Sequence, residues 1–335
     1  MNAPSARPNS LPWRLSVAAV SLQVLGVVLI QTYMLVVLPM GEQMRRAYTR
    51  PEMVATSVVQ LVAGCLFVGL VTWCTTQRWL RRHDAAGVDR PGRMVAVLLA
   101  VSAVLFVLLS AGQALLQRAF YAFLLNNKEW MDAAVGLYGL KRLLLTALPL
   151  KICGLLLGFL SSWGAVRIAA WSVRPATGTG KPAYLPRHAA WIAALTLLLW
   201  QLHASLTLGG YFTSNMRSDE MLEYALGYWL LPAAALALAA WTCLRSVPAR
   251  LDDAGFGRAV AHGTFAFWLA QALGIGLALL VLSTMSWSQI SRAAEANVTT
   301  VVSLLVYGAL LALGCYAGAK LFYRRGKTPA GSAPL

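Results

Sequence analysis

The chain has 335 residues, of which 59% are hydrophobic and 12% are charged, whereas a soluble domain carries about 25% charged residues. This composition excludes a soluble globular protein and indicates that the main solvent is lipid. The formal net charge of +16 is compatible with a nucleic-acid partner, but the basic residues lie in loops between apolar segments. We therefore predict that the partner is the lipid bilayer and not nucleic acid.

Apolar segments of 20 residues or more recur along the chain, and about 20 residues of α-helix cross a hydrocarbon core of about 30 Å. Helices are expected because each helix satisfies its backbone hydrogen bonds internally. The sequence predicts an all-α, polytopic transmembrane helix bundle of about eight spans. Their approximate bounds are 13–40, 53–77, 94–116, 143–166, 188–209, 225–244, 259–285 and 299–323.

The first apolar segment is about twice as long as the apolar part of a secretory signal, so we predict an uncleaved anchor. The segment 120–138 interleaves aromatic and polar residues. Two interpretations remain open for it: an amphipathic helix along the membrane interface, or an extension of spans three and four.

Lysine and arginine are unevenly divided between alternate loops. One side of the predicted membrane carries 18 of the 28, the other side carries 9, and Lys151 lies inside a span. The positive-inside rule predicts that the richer side is cytoplasmic, which places both termini in the cytoplasm. The high ratio of arginine to lysine and the short loops favour a multi-pass protein of a bacterial inner membrane.

Two loops resemble each other at an offset of 168 residues, with six identities in eighteen positions. The matching residues are Trp73, Arg82, Asp84, Ala86, Gly87 and Arg90 in the first loop, and Trp241, Arg250, Asp252, Ala254, Gly255 and Arg258 in the second. Arg82, Asp84, Gly87, Arg250, Asp252 and Gly255 are predicted to form the turns of these loops.

This similarity predicts a tandem duplication of four spans plus four. The predicted domains are a first repeat at 1–171, a cytoplasmic linker at 172–187, a second repeat at 188–323 and a cytoplasmic tail at 324–335. Four crossings bring the chain back to the side on which it started, so the two repeats must be parallel and related by an axis along the membrane normal.

The sequence contains no HExxH, no GxSxG and no paired carboxylates within a span, so the chemistry of known intramembrane hydrolases is missing. Haem ligation would need facing histidines, and only His203 lies deep within a span. No two of the five cysteines are spaced as CxxC. We therefore predict a protein that is not an enzyme and that has neither a metal nor a cofactor.

Five polar residues fall at a similar depth in the outer half of the predicted spans: Gln31, Gln60, Lys151, Gln201 and His203. Polar side chains at this depth face protein or water, because exposure to lipid is costly. One interpretation is hydrogen bonding between helices. The other is a ligand-binding, periplasm-facing cavity in which Lys151 binds an anionic group. For Lys151 alone, a side chain that extends to the interface is a third possibility.

The sequence thus favours a transporter or permease-like protein that binds a small anionic or amphiphilic solute. The alternative is a non-catalytic accessory or scaffold protein that stabilises or regulates a membrane-protein partner.

Overall fold

The computed structural model of the chain describes residues 10–37, 41–48, 51–135, 140–177, 185–212, 229–249, 251, 255–295 and 297–323. The helices are α1 Leu11–Val36, α2 Gly41–Tyr48, α3 Pro51–Arg82, α4 Pro91–Asn126, α5 Lys128–Val135, α6 Leu140–Trp171, α7 Pro186–Phe212, α8 Leu231–Ser246, α9 Phe256–Thr284, α10 Trp287–Glu295 and α11 Asn297–Phe322. Two short strands, β1 Ala85–Val88 and β2 Pro175–Thr177, complete the described elements.

Seven of these helices are long and apolar enough to cross a membrane, namely α1, α3, α4, α6, α7, α9 and α11. Their pattern is that of an all-α, multi-pass membrane protein. Helix α8, in the sixth predicted span, is apolar but has only 16 residues. The start of that predicted span, 225–228, lies outside the described residues, so the count of eight spans stays a prediction.

Proline marks the beginning of five helices, namely four of the long ones and the shorter α8. Pro51, Pro91 and Pro186 are the first residues of α3, α4 and α7, and Pro12 and Pro232 are the second residues of α1 and α8. The first turn of a helix has no internal partner for its N–H groups, so the N–H that proline lacks is not needed there. These prolines therefore fix where the spans start without weakening them.

The chain divides into two compact units, each of which is described by itself. Unit 1 comprises 1–182 with 205–220, and unit 2 comprises 183–204 with 221–335. Each unit has two ends. The basic end of unit 1 is where α3 ends and α4 begins, and the basic end of unit 2 is where α8 ends and α9 begins. The other end of each unit is called its opposite end.

In unit 1, α1 packs against α3 and α4, and α6 packs against α3 and α4. The buried core of this four-helix arrangement lies at the basic end. Its members are Leu11, Leu15, Ala19, Trp79, Leu80, Ala85, Met94, Leu98, Ala165, Val166, Ala169 and Ala170.

Burial in unit 1 falls toward the opposite end. On α4, Met94 and Leu98 are buried, whereas Val107 and Leu115 are 66% and 68% exposed. The other helices follow the same trend, with Leu15 buried and Val36 exposed on α1. The helices therefore pack closely at the basic end and separate toward the opposite end.

In unit 2, α11 packs against α9 and α8. Small residues allow the close approach: a Cβ added at Gly314 would meet the backbone oxygen of Ala266, and one added at Gly263 would meet that of Ala193 on α7. In an apolar solvent, helices associate through such close packing. Burial again falls toward the opposite end, since Phe267 is buried and Leu279 is exposed on α9.

The two strands pair antiparallel, with Ala85 opposite Thr177 and Val88 opposite Pro175. Asp89 extends the pairing, because its N–H donates to the Arg174 carbonyl and its carboxylate accepts the Arg174 N–H at 3.0 Å. The loop after α3 is thus bonded to the first part of the segment predicted as a linker. The sequence analysis did not predict this strand pair.

The predicted turn residues are placed as follows. Arg82 is the last residue of α3, and Asp84 has a left-handed φ of 49°, which aspartate adopts more readily than most residues. Gly87 lies in β1 with open space around it, and Gly255 is extended just before α9. Arg250 and Asp252 lie outside the described residues.

Three short helices connect long helices at the opposite end. Helix α2 joins α1 to α3, α5 joins α4 to α6, and α10 joins α9 to α11. Trp130 on α5 and Trp287 on α10 are exposed, as expected for side chains at a membrane interface. In the segment 120–138, α4 continues to Asn126, as the extension of span three predicts, and α5 is a separate helix. Its placement along the membrane interface stays a prediction.

Gly263 provides a test of the close packing of α9. We expect Gly263→Ala to destabilise the protein by about 1–3 kcal/mol, because the new Cβ would meet the backbone of Ala193. Gly276→Ala on the same helix is the matched control, because nothing lies within 4 Å of its Cβ position. Unfolding temperatures in detergent measure both, and equal values for the two variants would contradict this packing.

Candidate functional site

Polar side chains join three helices at the opposite end of unit 1. The Tyr48 hydroxyl on α2 donates to Gln31 Oε1 on α1 at 2.9 Å, and the Ser57 hydroxyl on α3 donates to the Tyr48 oxygen at 3.4 Å. Gln31, one of the predicted site residues, is therefore part of a hydrogen-bonded chain. These hydrogen bonds tie the short helix α2 to α1 and to α3.

Lys151 on α6 is half-buried, and its ammonium group donates to the Thr207 hydroxyl at 2.5 Å. Thr207 lies in the last part of α7, within unit 1. A charged lysine carries three N–H donors and no acceptor. The side chain is thus directed toward a polar group on another helix, which both the interhelical hydrogen-bond interpretation and the binding-site interpretation predict.

Pro149 lies inside α6, two residues before Lys151. A proline within a helix removes one backbone donor and crowds the preceding turn. In a membrane helix, the carbonyl that loses its donor must find another partner. The carbonyl concerned is that of Leu145, six residues before Lys151 on α6.

In unit 2, a second hydrogen-bonded chain joins three long helices. The Tyr307 hydroxyl on α11 donates to Gln201 Oε1 on α7 at 2.5 Å, and it accepts a hydrogen bond from Gln271 Nε2 on α9 at 2.8 Å. Gln201 was a predicted site residue, whereas Gln271 and Tyr307 were not. A polar residue on each of three spans was the available signal, but hydropathy does not show which side chains face each other.

Aromatic rings pack beside this chain. The Trp200 indole donates to the Thr264 hydroxyl at 3.0 Å, stacks on Phe267 and meets the edge of Trp268. Trp200 precedes Gln201 on α7, so these neighbouring residues join α7 to α9 through Trp200 and to α11 through Gln201. The polar chain of unit 2 thus adjoins a closely packed part of the unit.

The other two predicted site residues lie in different surroundings. Gln60 on α3 is exposed, and His203 on α7 is half-buried. Gln31, Gln60 and Lys151 belong to unit 1, whereas Gln201 and His203 belong to unit 2. Their assembly into one site stays a prediction.

His262 on α9 is fully buried in unit 2. Its Nε2 lies 2.7 Å from the Cys315 carbonyl and must therefore carry the proton, since a carbonyl only accepts. Within the described residues, its Nδ1 has no hydrogen-bond partner. The sequence analysis assigned His262 no role.

The space for His262 comes from Gly318 on α11, where an added Cβ would meet the imidazole ring. The Cys243 sulfur on α8 lies 4.0 Å from Nε2. The available sequence signal was the spacing of Gly314 and Gly318, since small residues four apart allow helices to approach closely. In the described part of the chain, no three His, Cys, Asp or Glu side chains are grouped to hold a metal ion.

Comparison of the chain with protein-family models, with curated proteins and with solved structures finds no match.

The polar chain of unit 2 can be tested at Tyr307. We expect Tyr307→Phe to destabilise the protein by about 0.6–1.7 kcal/mol, the range for hydrogen bonds between membrane helices, because Gln201 and Gln271 each lose a partner. Tyr316→Phe on the same helix is the control, since Tyr316 is exposed and its ring is kept. Unfolding in detergent measures the effect. If Tyr307→Phe is as stable as the wild-type protein, the hydrogen bonds of Tyr307 contribute nothing to stability.

Proposed function

We propose that this chain is a transporter or permease-like protein of a bacterial inner membrane, with eight spans in two parallel four-helix repeats. It binds a small anionic or amphiphilic solute through Lys151, in a polar cavity that opens at the periplasmic side. The proposed role is solute binding and not catalysis. The observation that carries the proposal is the hydrogen bond from the Lys151 ammonium to Thr207 on another helix.

Depth makes this hydrogen bond informative. Lys151 lies nine residues after Arg142, or about 14 Å along the helix axis. An ammonium group at such depth costs several kcal/mol unless it reaches water or polar protein groups. Because the side chain turns to Thr207, the ammonium group is held among helices, where the proposed solute would contact it.

The loose packing of unit 1 at its opposite end also supports a cavity. The helices of unit 1 are least buried at this end, as on α4, where Met94 and Leu98 are buried and Leu115 is exposed. A solute would enter from the end where the helices separate.

Helix pairing supports the proposed duplication. In unit 1, α6 packs on α3 and on α4, and α1 packs on α4. In unit 2, α11 packs on α8 and on α9, and α7 meets α9 at Gly263 and at Thr264. These are equivalent pairs if α1, α3, α4 and α6 correspond to α7, α8, α9 and α11. The short helices α5 and α10 also occupy equivalent places.

Water access at Lys151 tests the proposed cavity. In a variant without the five native cysteines, we expect Lys151→Cys to react with a membrane-impermeant methanethiosulfonate. Ile152→Cys is the matched control at the same depth, because Ile152 is 48% exposed on another side of α6 and would face lipid. A thiol in hydrocarbon does not ionise and reacts slowly. If position 151 reacts no faster than position 152, the cavity does not exist.

Ligand binding is then measured with Lys151→Met, which keeps an unbranched side chain and removes the charge. The wild-type protein should be stabilised against heat by at least one member of a panel of small organic anions, and Lys151→Met should lose this shift. Lys128→Met on α5 removes an exposed lysine and serves as the control. If no anion raises the unfolding temperature and another membrane protein copurifies in stoichiometric amount, the accessory or scaffold alternative is favoured.

The proposed orientation has a separate test. In intact cells, we expect single cysteines at positions 87 and 255 to be protected from an impermeant thiol reagent, whereas a cysteine at position 215 reacts. Position 215 lies in the loop 210–224, most of which is outside the described residues. Labelling at 87 or 255 without labelling at 215 would reverse the topology.

A further inference from the structure

Three long helices carry an aromatic ring covered by a basic side chain near the basic end of their unit. In each case the basic residue follows the aromatic residue by four positions, so it lies one turn nearer the helix end. The pairs are Trp163 with Arg167 on α6, Trp241 with Arg245 on α8 and Tyr316 with Lys320 on α11, at 5.5, 4.4 and 4.5 Å from cation to ring centroid.

The position of the cations along the helices is similar. Arg245 is one residue before the end of α8, Lys320 is two residues before the end of α11, and Arg167 is four residues before the end of α6. At about 1.5 Å per residue, all three cations lie within about 6 Å of a helix end. This is the level at which a span leaves the hydrocarbon and reaches the phosphate groups of the lipid.

The three rings face outward. Trp163, Trp241 and Tyr316 are between 42% and 53% exposed. Trp79 on α3 also has a basic residue four positions later, His83, but Trp79 is 8% exposed and the His83 ring bonds its carbonyl oxygen. That pair contributes to the core of unit 1, whereas the three outward pairs do not.

The cations of the three outward pairs have unused hydrogen-bonding capacity. Within the described residues, none of the three cations forms an ion pair with an acid. An aromatic ring attracts a cation through its face and accepts no strong hydrogen bond, so the N–H donors remain available to an anion. A guanidinium group also matches the geometry of a phosphate group.

We propose that these three aromatic–cation pairs bind the phosphate groups of anionic phospholipids, each at the basic end of its own unit. The cation contacts the headgroup phosphate, and the exposed ring contacts the adjoining glycerol and acyl chain. A soluble phosphate ion would use the cation but not the ring. The ring therefore favours a lipid as the occupant, and this inference does not depend on the proposed transport function.

The test is a titration of the purified full-length protein, in neutral detergent, with phosphatidylglycerol and with phosphatidylcholine, followed by native mass spectrometry. We expect the wild-type protein to bind phosphatidylglycerol more tightly. Replacing Arg167, Arg245 and Lys320 with glutamine should lower the affinity for phosphatidylglycerol about fivefold per cation and leave phosphatidylcholine binding unchanged. Arg245→Gln alone should lower the affinity for phosphatidylglycerol about fivefold.

Arg292→Gln is the matched control. Arg292 lies on α10 at the opposite end, its Nε donates to the Ser288 carbonyl, and the residue four positions earlier is serine, not an aromatic residue. This variant should retain the preference for phosphatidylglycerol. Inorganic phosphate at millimolar concentration should not compete with the lipid.

Three results would overturn the proposal. They are an unchanged lipid preference in the triple variant, an equal loss in Arg292→Gln, and competition by inorganic phosphate. The unfolding temperature in phosphatidylcholine nanodiscs confirms folding of each variant. If the triple variant fails to fold, the single variant Arg245→Gln decides, because its cation lies closest to its ring.

Discussion

The architecture depends on how helices associate in a solvent as apolar as their own side chains. Lipid provides no hydrophobic force that would drive one leucine-rich helix against another, so close packing and hydrogen bonds must hold the bundle together. The buried positions are accordingly rich in small residues. Ala165 and Ala169 on α6, Ala193 on α7, and Gly263 and Gly314 on α9 and α11 lie where helices approach most closely.

Hydrogen bonds between helices supply the second contribution, and tyrosine has a similar part in both units. Tyr48 bonds Gln31 in unit 1, and Tyr307 bonds Gln201 in unit 2. In each case a glutamine oxygen accepts the phenolic proton, so one glutamine acceptor is satisfied. A buried polar group without such a partner costs a few kcal/mol, which makes these pairs selective for the observed arrangement. Lys151 adds a charged donor to these contacts, because its ammonium group donates to the Thr207 hydroxyl on another helix.

The location of the seven long apolar helices followed from the sequence, because hydropathy shows where a membrane helix lies. Their ends followed less well, since α4 continues to Asn126, ten residues beyond the predicted span. The strand pair could not be found this way. Ala85–Val88 has four residues, and its partner Pro175–Thr177 is separated from it by two long helices. Neither segment shows a strand pattern by itself, and local sequence does not encode a pairing over that distance.

For the polar residues, the sequence showed their depth but not their partners. Depth in the membrane follows from counting residues, so Gln31, Lys151 and Gln201 were recognisable as unusual. Their partners were not, because the rotation of each helix about its axis decides which side chains meet. His262 was missed for a related reason, because its surroundings come from another helix. Its ring packs against Gly318 and bonds the carbonyl of Cys315, which lies 53 positions later in the sequence.

The strand pair and the small-residue core hold the same end of unit 1, and this has a mechanical consequence. A helix fixed at one end acts as a lever, so its displacement grows with distance from the pivot. Helix α4 has 36 residues, or a length of about 54 Å, and a tilt of about 5° would move its free end by about 5 Å. Small rotations near Asp89 and Arg174 are therefore amplified into separations comparable to the width of a small organic anion.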